Sequence, residues 1–293
     1  MQIALASAVE SFADRTHALS DAQLEQDWEW KGYDEGVRFA FFRVYETLRQ
    51  LAADLTAERA TVGPMVTAAQ RALATYHAAY RDLEAITSGL SDEQADLVPA
   101  EGEWSLREAL EHMIQATRGF YGVLTWTLQE ARAGKPEPSE MTEAAWEALW
   151  AGDTFRETIG SARFAALRAY HEAVHARVLR DLVSITEEEK RLPSMYWESE
   201  LFPVQFRLHR FDSHLRQHTI QVEKTLEAVI GRPSEARRLL RLIYAALAEI
   251  EGICLGAPEL GIEKLKRAAE EVQALGGEVG RALGSNDRSP DGE

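Results

Sequence analysis

Helical periodicity runs through nearly the whole chain and constrains its fold more than any other sequence feature. Apolar residues recur at three- and four-residue spacing, and Ala, Leu, Glu and Arg, which favour helices, fill the positions between them. The runs of β-branched residues that are typical of strands do not occur. The sequence therefore predicts an all-α protein without a convincing strand.

Two helices are predicted before residue 64. The first covers about residues 3–18, and the second runs from about residue 34 to residue 59 with Asp34 as its N-cap. The apolar face of the second helix consists of Phe39, Phe42, Tyr45, Leu48 and Leu51. Such a face is suited to packing on another part of the chain or to forming a dimer interface.

Four long helices are predicted in the middle of the chain, over about residues 64–87, 105–133, 161–185 and 204–230. Pro64 suits a first helical turn, and Gly89 suits a helix end. Ser105 and Glu108 have the spacing of a capping box at the start of the second of these helices. Four long helices with polar connections predict a four-helix bundle.

The predicted organisation has four parts. Residues 1–63 form an N-terminal helical extension, residues 64–231 form the bundle, and residues 232–283 form a C-terminal extension with helices over about 234–255 and 259–283. The polar end of the sequence, residues 284–293, is predicted to be a disordered tail.

Charge and composition exclude several classes of function. Lys and Arg total 32 against 48 Asp and Glu, a formal net charge of −16, so we expect no nucleic-acid partner and no anionic membrane partner. No apolar run is long enough to span a bilayer, and the N-terminus lacks the basic start of a signal peptide. A cytoplasmic location is expected. The one cysteine, Cys254, lies in an apolar stretch and is predicted to be a small buried hydrophobe.

The histidines carry the strongest chemical signal. The chain has His17, His77, His112, His171, His175, His209, His214 and His218. Two pairs, His171/His175 and His214/His218, have the i, i+4 spacing that places two imidazoles on one helix face. Chance gives ~0.2 pairs at one spacing in a chain of this composition, so the spacing alone identifies neither pair as a site.

Neighbouring residues separate the two pairs. His214 and His218 lie in a row of mixed polar and apolar residues, and with one histidine from a facing helix they would make an open three-nitrogen metal site. His171 lies near an apolar stripe and is interpreted as a partly buried residue bonded to a carbonyl, whereas His175 is expected to be exposed. The remaining unpaired histidines, His17, His77 and His209, are interpreted as surface or packing residues.

Two segments resemble the DinB/YfiT-like superfamily. VPAEGEWSLREALEHMIQATRGF resembles its second-helix signature, through Trp104–Ser105 and His112. FRLHRFDSHLRQHTIQVEKTL resembles its fourth-helix signature, two histidines followed by a glutamine, through His214, His218 and Gln221. The likeness extends over about residues 64–230. It leaves His171 and His175 without a role.

The resemblance implies a DinB-like four-helix bundle whose His112, His214 and His218 hold one divalent transition metal ion, Zn, Ni or Fe. Members of the superfamily include transferases and isomerases that use low-molecular-weight thiols, so a metal-dependent enzyme of thiol S-transferase type acting on a small molecule is expected. A metal-dependent hydrolase is the alternative. The family often pairs bundles, which favours a homodimer.

Three further residues are candidates near such a site. Glu108 shares a helix face with His112 and is a candidate proton acceptor, although its capping role explains it equally well. Gln221 is a candidate for orienting His218 or contacting substrate. Arg207 could bind a substrate carboxylate, but a surface ion pair is the simpler interpretation.

A rival hypothesis from another class is a non-enzymatic, stress-associated bundle with a structural metal. The large aromatic residues Trp146, Trp150, Trp197 and Phe202 would then line an interface with a protein partner.

Overall fold

The computed structural model describes residues 2–135, 137–159, 163–198 and 200–285, and they are mainly helical, which confirms the all-α prediction. In chain order the helices are α1 (Gln2–Thr16), α2 (Asp21–Leu24), α3 (Arg38–Val62), α4 (Ala68–Thr87), α5 (Asp92–Ala95), α6 (Leu106–Arg132), α7 (Glu143–Leu149), α8 (Phe155–Ile159), α9 (Phe164–Leu182), α10 (Val204–Val229), α11 (Glu235–Cys254) and α12 (Ile262–Ser285). The strands are β1 (Asp27–Trp30), β2 (Tyr33–Gly36), β3 (Pro193–Ser194) and β4 (Phe202–Pro203).

Two predictions fall partly outside the described ranges. The predicted tail covers residues 284–293, and residues 286–293 lie outside the described ranges. The predicted helix start at Ser161 also lies outside them. Within the described residues, that helix is α9 and begins at Phe164.

The chain divides into two compact units. The terminal unit contains the residues up to 65, residues 81–89, and the residues from 232 onwards. The middle unit contains residues 66–80 and 90–231. The division falls within α4, after Tyr80.

The terminal unit has a hydrophobic core of its own, built from helices at both ends of the sequence. In it, α1 packs on α12, and α3 packs on α11 and α12. Phe12 of α1 meets Phe41 of α3 edge to face, with ring centroids 5.2 Å apart. The apolar faces of the terminal helices are thus covered by one another.

A short hairpin precedes α3 and replaces a predicted helix start. Strands β1 and β2 pair antiparallel, and Lys31 (φ 48°) and Gly32 (φ 85°) make the turn between them with the left-handed backbone of a tight hairpin. Trp28 of β1 is buried. The prediction that Asp34 caps a helix was therefore wrong: Asp34 lies in β2, and Val37 precedes α3 without a side-chain cap.

The middle unit is a helical bundle. Helix α6 packs against α9 and α10, and the first part of α4 completes the bundle through Tyr76. The Tyr76 ring lies 4.6 Å from His175 of α9 and 5.0 Å from Phe211 of α10, centroid to centroid. A second ribbon, β3 with β4, closes the loop before α10.

Local hydrogen bonds fix where the bundle helices begin. The predicted capping box at α6 is present: Ser105 Oγ accepts from the Glu108 backbone N–H, and Glu108 accepts from the Ser105 backbone N–H. Helix α4 begins at Ala68 instead of near Pro64, because Thr67 and Gln70 exchange the same pair of hydrogen bonds.

None of the helices in the described residues combines the length and the apolar character that crossing a bilayer would need.

We expect Ser105→Ala to lower the free energy of unfolding by about 1 kcal/mol, because the first turn of α6 loses its side-chain acceptor. Ser105→Gly should lower the free energy of unfolding by only a few tenths of a kcal/mol, because glycine lets water reach the backbone N–H groups of the first turn. Urea unfolding of both variants measures the difference. Equal stability of the alanine variant and the wild type would contradict the capping role.

Candidate metal centre

Three imidazoles converge where α6 packs against α10. His112 comes from α6, and His214 and His218 come from successive turns of α10. One ring nitrogen from each can be chosen so that all three lie within 4.8 Å of one another. The His112 ring centroid is 5.1 Å from that of His214 and 4.7 Å from that of His218.

This arrangement fits a divalent transition metal ion. Zinc binds imidazole nitrogen at about 2.0–2.1 Å, so tetrahedral ligands lie roughly 3.3 Å apart. The 4.8 Å limit is close enough to that spacing for side-chain rotation to close the gap. Imidazole is a ligand that Zn, Ni, Fe and Cu all accept. The donor set is therefore compatible with a divalent transition metal ion and does not select one of them.

A hydrogen bond orients one of the three rings. His218 Nδ1 lies 2.8 Å from Gln221 Oε1. A carbonyl oxygen can only accept, so Nδ1 carries the hydrogen, and in the neutral ring the lone pair is then on Nε2. Histidines that bind metals commonly donate their second ring N–H in this way, which fixes the tautomer and the ring orientation.

Burial favours the neutral, metal-binding form of two of the rings, those of His112 and His214. Burial and, to a lesser extent, the neighbouring imidazoles lower the pKa of His214 to about 4. Burial followed by the charge of His218 also lowers the pKa of His112. Neutral imidazoles have a free lone pair at neutral pH, whereas protonated ones cannot bind a cation.

Aromatic rings border the three histidines. The buried Phe120 meets His214 edge to face, with centroids 5.7 Å apart. Trp104, which is 39% exposed, lies 5.0 Å from His112 and nearly parallel to His218 at 6.1 Å. The cluster therefore has a buried apolar side at Phe120 and a solvent-facing side at Trp104.

Comparison with known proteins agrees with this geometry. Residues 75–222, which contain all three histidines, match the DinB superfamily. The chain belongs to the DinB superfamily. No curated protein matches the chain, and no solved structure matches it.

Two further residues that the sequence singled out in this DinB bundle have hydrogen-bonding roles. Glu108 Oε2 accepts from the Ser105 backbone N–H at 2.8 Å and from its Oγ at 3.0 Å, as the capping box requires. Gln221 contacts His218, as described above. Of the two roles suggested for Gln221 from the sequence, orienting His218 or contacting substrate, this contact fits the first.

The environment of Arg207 differs from the prediction. Arg207 was expected to make a surface ion pair, but its side chain is fully buried. Its guanidinium donates to both carboxylate oxygens of Glu198, at 2.7 and 2.9 Å, and lies near the rings of Tyr196, Phe202 and Phe206. The pair lowers the pKa of the Glu198 carboxyl. Arg207 therefore ties the 193–203 loop to α10.

A second histidine group lies inside the same DinB bundle and was not anticipated. His175, predicted to be exposed, is only 3% exposed, and its Nε2 lies 2.8 Å from Nδ1 of His77. The Tyr80 ring stacks on the His175 ring with centroids 3.8 Å apart, and the His171 ring centroid lies 5.1 Å from that of Tyr80. Within the described residues, this group does not converge on one point as the first three histidines do.

His171 also differs from its prediction. It was expected to be partly buried and bonded to a carbonyl, yet it is 3% exposed, and its Nε2 has no hydrogen-bond partner among the described residues. Burial and then the charge of Arg168 lower the pKa of His171 to about 4.

The remaining candidates are not members of the cluster. His17 lies within bonding distance of the Ala13 carbonyl, at 3.1 Å, and His209 is exposed on α10. Cys254 is buried, as predicted. Of the tryptophans proposed for a partner interface, Trp150 is buried beside Arg118 and Tyr121, while Trp197 is 79% exposed.

The buried His171 should contribute a pH dependence to stability. Its pKa of about 4 in the folded state lies below the reference value of 6.5, so the unfolded chain binds one more proton between these values. Stability from this residue is present above pH 6.5 and is lost as the pH falls towards 4. We expect His171→Leu to reduce the slope of unfolding free energy against pH by roughly 1.4 kcal/mol per pH unit in this window.

Urea unfolding of the metal-free protein from pH 7 to pH 4 measures that slope. His209→Leu, which changes an exposed histidine, is the matched control. A slope that changes equally in both variants would contradict the role assigned to burial.

Proposed function

We propose that this chain is a metal-dependent enzyme of thiol S-transferase type, in which His112, His214 and His218 hold one Zn, Ni or Fe ion. A small-molecule substrate and a low-molecular-weight thiol would meet at that ion. The observation that carries the proposal is the convergence of three imidazole nitrogens within 4.8 Å, on two packed helices of a DinB superfamily member.

The size of the ligand set supports catalysis over a purely structural role. Among the described residues, the group that could hold an ion has three members. Structural zinc sites normally use four protein ligands, whereas catalytic sites use three and leave a position open. When bound, the ion would supply a Lewis acid that ionises a coordinated thiol or water near neutral pH.

The chain's own residues would prepare this site. Gln221 accepts from His218 Nδ1 and so leaves the Nε2 atom of that ring for the ion. Phe120 shields one side from water, which strengthens electrostatic interactions there. Glu108 is the candidate proton acceptor, because its helix position lies one turn before His112.

Two other functions would use the same residues and are outcomes of the tests. A hydrolase would differ only in using water in place of the thiol as nucleophile. A non-enzymatic bundle would need its ion for folding, and the exposed Trp197 would then be available to a protein partner.

Metal content is the first test. We expect about one transition-metal ion per chain by elemental mass spectrometry, and loss of that ion in a His214→Ala/His218→Ala variant and in His112→Ala. His209→Ala changes an exposed histidine of the same helix and should keep the ion. Failure of the wild-type protein to take up either Zn²⁺ or Ni²⁺ would contradict the proposal.

Removal of the ion separates the functional classes. An ion that binds only the folded chain raises stability by mass action. We expect the chelated protein to keep its helical circular dichroism and to lose only turnover of an electrophile with added thiol. Loss of helix on chelation would indicate a structural ion, and turnover without thiol would indicate a hydrolase.

Gln221 offers a finer test of the centre. Gln221→Leu removes the acceptor for His218 and should weaken metal affinity about 10- to 100-fold, as is usual when such a partner is lost. Gln221→Glu keeps an acceptor at the same place and should retain most of the affinity. Competition with a chromogenic zinc chelator measures both. Equal affinities in the two variants would show that the hydrogen bond does not orient the ring.

A further inference from the structure

A cavity of about 620 Å³ lies in the middle unit along α6, the helix that also carries His112. Its floor is α6, which contributes Gln115, Gly119 and Val123. One wall is the segment from Glu140 to Trp146, and the other is Met195–Trp197. Its volume lies within the range of small-molecule sites, about 300–1,000 Å³.

The floor continues directly from His112. At about 100° per residue, Gly119 and Val123 project within about 20° of the direction of His112, and Gln115 within about 60°. The rise of 1.5 Å per residue places Gln115 roughly 4.5 Å and Gly119 roughly 10.5 Å along the axis from His112. A molecule about 10 Å long could therefore reach from the cavity to the cluster.

Two glycines of α6 shape the cavity. A Cβ atom on Gly119 would overlap the Tyr196 hydroxyl, and one on Gly122 would come within 2.7 Å of Trp146 Cζ3. Because both glycines lack that atom, the two aromatic side chains rest directly on the helix backbone. The missing Cβ atoms thus allow the two aromatic walls of the cavity to pack against α6.

The lining has a distinct chemistry. Aromatic rings and the thioethers of Met141 and Met195 supply apolar, polarisable surface. Glu140 and Glu143 supply the charged groups, and the described lining includes no Lys or Arg. Arg118 lies 5.9 Å from the Trp146 ring, but it forms an ion pair with Asp153.

We propose that this cavity holds the apolar body of the substrate that reacts at the three histidines, and that it selects uncharged or cationic molecules over anionic ones. The inference rests on the function proposed above. An anionic group in the cavity would face two carboxylates without a compensating cation in the lining, which disfavours it. A phenyl-bearing molecule with an amine or a hydroxyl meets the apolar walls without that repulsion.

The test uses three probes of one shape and different charge: 2-phenylethylamine, 2-phenylethanol and 3-phenylpropionate. Binding is followed by NMR of ¹⁵N-labelled indole groups in the metal-free protein, at constant ionic strength. We expect the amine and the alcohol to shift the indole signals of Trp146 and Trp197, and the carboxylate to bind at least fivefold more weakly. Equal binding of all three, or shifts confined to other tryptophans, would overturn the proposal.

Variants show whether the cavity itself is occupied. Gln115→Trp fills the end nearest His112 from an exposed helix position, and Trp197→Ala removes an exposed wall. Trp197→Ala should weaken the amine and the alcohol about three- to tenfold, the size expected for loss of one aromatic contact. Gln115→Trp should weaken them at least threefold, because the added ring occupies space that the probe needs. Gln129→Trp adds the same ring to an exposed position of α6 outside the lining and should leave affinity unchanged. Unchanged binding in Gln115→Trp would contradict the assignment.

A cobalt titration links the cavity to the histidines. Thiolate coordination to bound Co²⁺ gives a charge-transfer band, so thiol affinity can be measured without turnover. We expect 2-phenylethanethiol to bind at least tenfold more tightly than ethanethiol, and Gln115→Trp to abolish that preference. If Co²⁺ does not bind, the metal function fails while the phenyl probes still report on the cavity. If both thiols bind equally, the cavity assignment fails alone.

Discussion

The packing of α6 against α10 is the contact on which the candidate centre depends. A pair of histidines at i, i+4 on one helix supplies two donors at most, and the third must come from a different helix. His112 and His214 are far apart in sequence and meet only because these two helices lie side by side. A shift of α6 by one helical turn, about 5.4 Å, would carry His112 out of reach of His218. The same packing places Phe120 against His214 and so sets the dry side of the cluster.

Local sequence signals predicted most of the helices because those signals act over three or four residues. The capping box of Ser105 and Glu108 is a case where residue identity and spacing sufficed. The hairpin before α3 was missed for a comparable local reason. Its turn is formed by Lys31 and Gly32, and lysine seldom adopts a left-handed backbone, so the pair gives a weaker signal than Asn-Gly or Asp-Gly.

The surroundings of the side chains were less predictable, because they depend on which elements meet. His175 was expected to be exposed because Ala176 and Arg177 follow it, yet α4 covers it with Tyr80 and His77. Arg207 lies on a helix with mixed polarity, and its partner Glu198 lies in a loop whose path no periodicity describes. By contrast, the grouping of His112, His214 and His218 was expected from family resemblance, since spacing alone provided two of the three.

The division of the chain has a consequence for its synthesis. The middle unit uses residues 66–80 and 90–231, so all its parts are synthesised before α11 and α12. The terminal unit needs both ends of the sequence, and α1 and α3 cannot bury their apolar faces until those last two helices arrive. During translation, the chain therefore carries an unsatisfied hydrophobic surface at its N-terminal end for as long as the bundle takes to be produced. Such surfaces are targets for chaperones and a source of aggregation, so slow elongation through the middle unit would prolong the vulnerable period.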